Sequence, residues 1–117
     1  MLFSNKKVKT YCTSVKAASK LFGGNRALVV SLMARIFAME RADVIKDIIL
    51  MPTFRFHSLK GKMDGLFAID VRSRKDKWRI IIQPLDENEN VFNPCHIDRI
   101  ADNVKTVEIK EVSQHYE

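Results

Sequence analysis

Apolar positions in the first half of the chain repeat every three to four residues after Asn25. One stripe consists of Leu28, Leu32, Ile36 and Met39. A second stripe beside it consists of Val29, Met33 and Phe37. This spacing is typical of an amphipathic helix. The two stripes together predict a long helix that packs on a sheet and on another helix. The alternative is that part of the second stripe stays open for a partner.

Two shorter segments precede this helix. The segment KKVKTYCT at 6–13 alternates loosely between polar and apolar residues, and this pattern predicts a short edge strand. The segment 14–22 predicts a first, short helix, with Ser14 as its N-cap and the glycine pair after Phe22 at its end. Two N-terminal helices are therefore expected.

The periodicity changes from helical to alternating after Pro52. Before that proline, Asp43 is a candidate cap for one further helical turn in VIKDII. Proline then forces the chain into extended structure. The predicted strands lie at 53–57, 66–71, 77–85 and 104–112. Helices followed by strands predict an α+β fold, with the helices packed on one face of a small, mainly antiparallel sheet.

Alternation within the strand at 53–57 separates two kinds of side chain. Phe54 and Phe56 are expected on one face, in the core, and Arg55 and His57 on the other. Arg79 is opposite in phase to its apolar neighbours in the strand at 77–85, so it is expected on a polar, exposed face. It shares that face with Arg55 and His57 only if the strand register agrees.

Two polar loops interrupt the strands. The loop 72–77 is rich in basic residues and connects two predicted strands as a hairpin. The loop 86–103 is long for a hairpin in a small domain, which predicts a lid, a docking loop or a short helix around HIDRIAD.

The length of the chain indicates its domain count, and its charge indicates the kind of partner. With 117 residues and 46% hydrophobic content, the chain is long enough for one domain, residues 1–117, with a modest core. Its net charge is +6, and residues 1–62 carry 12 Lys and Arg against 3 Asp and Glu, whereas residues 63–117 carry 8 against 11. Such a field favours polyanions, with nucleic acid first and an acidic protein second.

Cysteine usage and the apolar runs indicate a cytoplasmic protein. Cys12 and Cys95 lie far apart in the sequence and form no CxxC pair, so neither a disulfide framework nor a zinc motif is indicated. The N-terminus lacks the apolar core of a signal peptide. The most apolar run, 27–39, is too short to cross a bilayer and contains Arg35. No membrane association and no cofactor are expected.

The candidate chemistry is RNA cleavage without a metal. Such cleavage needs a base for the ribose 2′-OH, cations for the phosphate in the transition state and an acid for the leaving 5′-oxygen. His57 and His115 suit the proton transfers, because the unperturbed pKa of histidine is about 6.5. Arginine and lysine suit the phosphate. The cationic candidates are Lys60, Lys62, Arg72, Arg74 and Arg79.

The segment FRFHSLKGKMDGLFAIDVRSRKDKWRIII at 54–82 resembles the central motif of the HigB-like killer toxins in the RelE superfamily. That motif is an aromatic or leucine, a histidine, x-Leu-Lys-Gly, then Gly-aromatic-x-apolar-x-apolar, and finally Trp-Arg-apolar. The order of strand, helices and strands extends the similarity to most of the chain. The resemblance implies a RelE-like fold and the toxin of a type II toxin-antitoxin system, which cleaves mRNA, usually on the ribosome, to inhibit translation and growth.

The resemblance also implies roles for individual residues. His57 matches the histidine before Leu-Lys-Gly, Lys60 the lysine of that motif, Arg79 the arginine of Trp-Arg, and His115 the histidine that closes the last strand. The expected partners are mRNA, the ribosome and a cognate antitoxin with a helix-turn-helix domain. The expected RNA-binding residues are Arg55, Lys62, Arg72, Arg74, Lys75 and Lys77.

The chain departs from the family at its end. Ser113-Gln114 precede His115, where the family usually has Asp-Tyr, and Tyr116 follows it. One alternative is therefore a binder of RNA, the ribosome or a protein that acts without cleavage. Another is a relative that poisons DNA gyrase, as ParE-type toxins on this fold do, although those generally lack the motif histidine that His57 matches. A third is a metal site of Cys95, His96 and His115, which lacks motif spacing.

Overall fold

Five strands form one mixed sheet in the computed structural model, which describes residues 1–114. They are β1 (Leu2–Phe3), β2 (His57–Ser58), β3 (Phe67–Asp70), β4 (Arg79–Leu85) and β5 (Thr106–Ser113). Their order across the sheet is β1-β5-β4-β3-β2. The β1–β5 pair is parallel and the other three pairs are antiparallel. The expected α+β class and the mainly antiparallel sheet are thus confirmed.

Four helices precede β2, and a fifth lies between β4 and β5. They are α1 (Lys6–Thr13), α2 (Val15–Leu21), α3 (Arg26–Arg41), α4 (Ile45–Ile49) and α5 (Ile97–Ile100). Ser14 caps α2 as predicted, because its hydroxyl accepts a hydrogen bond from Ala17 N. Asn25 caps α3 in the same way through Leu28 N.

The segment 6–13 is a helix, so the prediction of an edge strand there is wrong. Asn5 accepts a hydrogen bond from Val8 N and begins α1. Val8 and Cys12 lie four residues apart and are both buried, which is the helical spacing that the loose alternation concealed. The edge strand is β1, whose Phe3 lies opposite Ile109 of β5. One more helix therefore precedes α3 than expected.

The segment 53–57 is not a continuous strand. Pro52–Phe54 form a single 3-10 turn, and Arg55 follows it in the left-handed region, with φ 48° and ψ 53°. Only His57 and Ser58 pair with β3. Proline favours the first position of a helical turn, and this competes with the strand pattern. Phe54 is nevertheless buried, as predicted.

The predicted helical turn VIKDII forms α4, but Asp43 is not its cap. Val44 is the N-cap residue, and the Asp47 carboxylate accepts hydrogen bonds from the backbone N–H groups of Asp43 and Val44. The first two amides of α4 donate to the carbonyls of Val104 and Ala101. This arrangement ties α4 to the end of loop 86–103, which contains the short helix that was one of its predicted forms.

The main core lies between the helices and one face of the sheet. From the sheet it takes Phe67, Ile69, Val71, Ile80, Ile82, Val107, Ile109 and Val112. The first apolar stripe of α3 is entirely buried, whereas Phe37 of the second stripe is 61% exposed. The second stripe therefore packs only in part, as the alternative interpretation allowed. None of the helices in residues 1–114 is long and apolar enough to cross a membrane.

Candidate active site on the sheet face opposite the helices

The strand register brings three of the predicted residues to one face of the sheet. His57 pairs with Ala68, and Asp70 pairs with Arg79. Directly paired residues lie on the same face, and so do residues two apart in a strand. Arg55 is placed on this face by its contact with Asp70. The register condition for Arg55, His57 and Arg79 is thus met, on the face opposite the helices.

A buried carboxylate joins two of these cations. Arg55 donates to both carboxylate oxygens of Asp70, through Nε at 3.0 Å and Nη2 at 3.0 Å. Arg79 Nε lies 3.2 Å from Oδ1 of the same carboxylate. The Asp70 side chain is 4% exposed, that of Arg79 is 0% exposed, and that of Arg55 is 32% exposed. A fork-shaped guanidinium suits this two-point contact better than an ammonium group would.

The prediction that Arg79 is exposed is wrong. Its guanidinium also donates to the backbone carbonyls of Trp78 at 2.9 Å, Arg74 at 3.1 Å and Ser73 at 3.4 Å. The loop 72–77 therefore folds over Arg79 and turns its carbonyls toward it. A phosphate would have to compete with these carbonyl acceptors for Arg79. In this structure the arginine therefore stabilises the fold of loop 72–77.

The ring of His57 is held in one tautomer. Its Nδ1 lies 2.7 Å from the carbonyl oxygen of Arg55. A carbonyl can only accept, so Nδ1 carries the proton and Nε2 presents its lone pair. Nε2 is buried and makes no hydrogen bond with any residue of the described part of the chain. Nε2 is therefore the nitrogen that could act as a base in a neutral ring, but the protein covers it.

Arg35 connects the long helix to the segments that carry the site. From α3 it donates through Nε to the carbonyl of Asp70 and through Nη2 to the carbonyl of Thr53, both at 3.0 Å. Its guanidinium also lies 4.2 Å from the centre of the Phe54 ring, in cation–π geometry. Burial lowers the pKa of the Arg35 guanidinium, and the nearby Asp70 charge partly offsets that effect.

Exposed basic side chains surround this face. Lys60 and Lys62 are exposed at a 3-10 turn over Gly61–Met63. That turn lies beside a small second core of Leu59, Ala68 and Ile81, which covers part of the sheet face. The exposed basic residues of loop 72–77 are Arg72, Arg74, Lys75 and Lys77. These side chains are accessible to solvent, and their role in RNA binding stays a prediction.

Asp76 orders the basic loop from within. Its carboxylate accepts hydrogen bonds from Trp78 N at 2.9 Å and from the backbone N–H and hydroxyl of Ser73 at 3.3 Å. The side chain of Gln114 donates to the Asp76 carbonyl at 3.0 Å, which links the end of β5 to this loop. His115 lies outside the described residues, so its predicted role stays a prediction.

Metal binding finds no support within residues 1–114, where no group of three His, Cys, Asp or Glu side chains is arranged to hold an ion. Cys95 is half-buried and His96 is exposed on the loop before α5. The third member of that hypothetical site, His115, lies outside the described residues.

Two residues of the site were missed from the sequence. Asp70 is the one acidic residue in the strand LFAIDV, and its phase opposite to Phe67 and Ile69 placed it on the polar face. Arg35 interrupts the most apolar run of the chain. A charge among apolar residues signals a buried partner, and that signal was available for both residues.

Comparison with protein-family models and with curated proteins finds no match to this chain. The resemblance to HigB-like toxins therefore remains a prediction that rests on the motif at 54–82.

Proposed function

We propose that the protein is a HigB-like endoribonuclease of the RelE superfamily, the toxin of a type II toxin-antitoxin system, which cleaves mRNA on the ribosome without a metal and so inhibits translation and growth. The observation that carries the proposal is the 2.7 Å contact between His57 Nδ1 and the Arg55 carbonyl, which leaves Nε2 as the ring nitrogen that could accept a proton. Exposed cations lie on the neighbouring segments 60–62 and 72–77. The α+β class and the mainly antiparallel sheet support the proposal at the level of the fold class.

In this mechanism Nε2 of His57 takes the proton of a ribose 2′-OH, and the resulting oxyanion attacks the adjacent phosphorus. The P–O5′ bond breaks and leaves a 2′,3′-cyclic phosphate, while the 5′-oxygen receives a proton from an acid. His115 is the candidate for that acid. Lys60 and the exposed part of Arg55 supply positive charge to the phosphate.

Substrate access requires a movement, because Nε2 of His57 is buried. The small core of Leu59, Ala68 and Ile81 and the adjoining Met63 and Leu66 lie on the same sheet face. We expect the segment 59–66 to shift when RNA binds, since it is joined to the sheet by few strand residues. Catalytic contacts commonly tighten only when the substrate is bound.

A second candidate is a binder that stops translation without cleavage. The burial of Nε2 and the complete burial of Arg79 favour it, because both groups are already enclosed by the protein. Such a protein would bind the ribosome or RNA through the exposed cations of 60–62 and 72–77. The segment 59–66 would not need to move away from His57.

The test is primer-extension mapping of an mRNA during in vitro translation, with and without ribosomes and with and without EDTA. We compare the wild type with His57→Ala and His115→Ala. The matched control is His96→Ala, because the His96 side chain is exposed before α5 and has no role in the proposed mechanism. A histidine that transfers a proton contributes about 10²- to 10⁴-fold in rate, so both site variants should fall by that factor while His96→Ala stays at the wild-type rate.

Three outcomes are decisive. Cuts that need ribosomes, survive EDTA and vanish in both site variants support the toxin proposal. Wild-type cleavage by His57→Ala overturns the role of His57. Arrested translation with intact mRNA, unchanged by either substitution, selects the binder instead.

A further inference from the structure

The helical side of the molecule carries an apolar groove that the candidate active site does not use. It lies between α2 and α3 and has a volume of about 560 Å³. Its lining includes Val15, Val29, Val30 and Met33. Val15 is 63% exposed and Val30 is 59% exposed. Large apolar side chains scattered singly on a surface need no explanation, but several around one groove mark an interaction site.

The groove continues along α3 as a stripe. Val30, Met33 and Phe37 are spaced by three and four residues, so they lie on one side of the helix. Phe37 is 61% exposed although its ring is among the largest apolar groups of the chain. From Arg26, where the groove begins, to Phe37, the groove and the stripe together span about 16 Å at 1.5 Å per residue. Three turns of a partner helix would cover that length.

The rim of the groove is basic at both ends. Arg26 lines the groove at the start of α3, and the Arg41 guanidinium lies 5.2 Å from the centre of the Phe37 ring. Lys16 and Lys20 are exposed on α2, next in sequence to groove residues. Across the whole of residues 15–41 the sequence contains one acidic residue. A partner is therefore selected by negative charge around its apolar contacts.

The same charge argues against a second copy of the chain. Two copies joined through this face would bring Arg26 and Arg41 of one against those of the other, in a protein whose net charge is +6. Nucleic acid is a poor occupant as well, because an apolar groove offers nothing to a phosphate backbone.

We propose that this groove binds an amphipathic helix of another protein, about three turns long, with apolar residues at positions i, i+3 or i+4, and i+7 and with acidic residues beside them. An amphipathic helix laid into an apolar groove is a common mode of peptide recognition. Phe37 and Val30 supply the main apolar contacts of the interface. Arg26 and Arg41 favour a partner with acidic residues beside its apolar stripe. The groove lies on the helical side of the sheet and His57 on the other face, so the groove is separate from the candidate active site.

The probe is a display library of 14-residue peptides with helix-favouring residues and randomised positions, selected against the wild-type protein. Selected peptides are then measured by fluorescence anisotropy against Val30→Ser/Phe37→Ser and against Arg26→Glu/Arg41→Glu. The matched control is Leu50→Ser, because Leu50 is 67% exposed and lies after α4, outside the groove. Urea midpoints verify that each variant is folded.

We expect selected peptides to be net acidic with an apolar stripe. Their affinity should fall at least 10-fold on Val30→Ser/Phe37→Ser and on the charge reversal, and remain unchanged on Leu50→Ser. Peptides without acidic bias, or equal affinity for the groove variant and the wild type, would overturn the proposal. Sedimentation that shows a dimer of the wild type, lost in Val30→Ser/Phe37→Ser, would assign the groove to a second copy and overturn it too.

Discussion

Replacing Asp70 by asparagine tests the buried ion cluster that organises the candidate site. The substitution keeps the size of the side chain but removes the negative charge between Arg55 and Arg79. Arg79 is fully buried, so water cannot solvate its positive charge once the Asp70 carboxylate is gone. Arg55 is partly exposed, and solvent screens its share of the effect.

The magnitude follows from the burial of the cluster. Removing one partner of a buried ion pair costs roughly 3–5 kcal/mol, because an uncompensated charge stays inside the protein. Arg79 retains its carbonyl acceptors in loop 72–77, and an asparagine oxygen can still accept a hydrogen bond. We therefore expect the lower end, about 3 kcal/mol. With a urea m value of about 1.5 kcal/mol per M, the unfolding midpoint should fall by about 2 M.

The assay is urea unfolding followed by Trp78 fluorescence and by circular dichroism. The matched control is Glu87→Gln, which makes the same change of charge on an exposed loop and should alter the free energy of unfolding by less than about 0.5 kcal/mol. The double variant Asp70→Asn/Arg79→Met should regain at least about 1 kcal/mol, because it removes the stranded charge. A urea midpoint for Asp70→Asn equal to that of Glu87→Gln would show that the Asp70 charge does not stabilise the protein through Arg79.

Two further predictions concern groups outside that cluster. Arg35→Ala should lower the free energy of unfolding by about 2 kcal/mol, because one charge-assisted bond to a part-buried carbonyl is lost; Arg26→Ala on the exposed side of the same helix is the control, and equal urea midpoints would contradict the expectation. Burial raises the pKa of Cys12 from 9.0 to about 12. Iodoacetamide at pH 8 should therefore label Cys95 well before Cys12, as followed by mass spectrometry, and equal rates would contradict this. Since the thiol of the unfolded chain ionises first, the stability that Cys12 contributes is complete below about pH 9 and is lost as the pH rises toward 12.

The local pattern of the chain was sufficient to predict the long helix, the three longer strands and the Ser14 cap. The stripe from Leu28 to Met39 is buried as expected, and Ser14 caps α2 through Ala17 N. Helical periodicity and a cap depend on residues within four positions of one another, so they can be read from sequence. The segment 6–13 was misread because only Val8 and Cys12 reveal its helical phase.

Local sequence patterns did not predict the contacts of the candidate site. His57 and Lys60 were found through a motif, but the contact of Asp70 with Arg55 and Arg79 joins residues from three separate segments. The left-handed backbone of Arg55 points its carbonyl at the His57 ring, and no alternation rule describes such a residue. The exposure of Arg79 could not be predicted either, since it depends on how loop 72–77 folds over it.

Periodicity and composition were enough to predict the α+β class, the helical stripe of α3, the strands around the core and the excess of basic residues. These features follow from periodicity and composition, which are properties of neighbouring residues. The burial of Arg79, the contact of Asp70 with two arginines and the exposure of Phe37 beside a groove depend on tertiary packing. Burial and strand register depend on contacts between segments that are far apart in the chain. A side chain such as that of Arg79 is therefore an exposed cation in one register and a buried ion-pair partner in another.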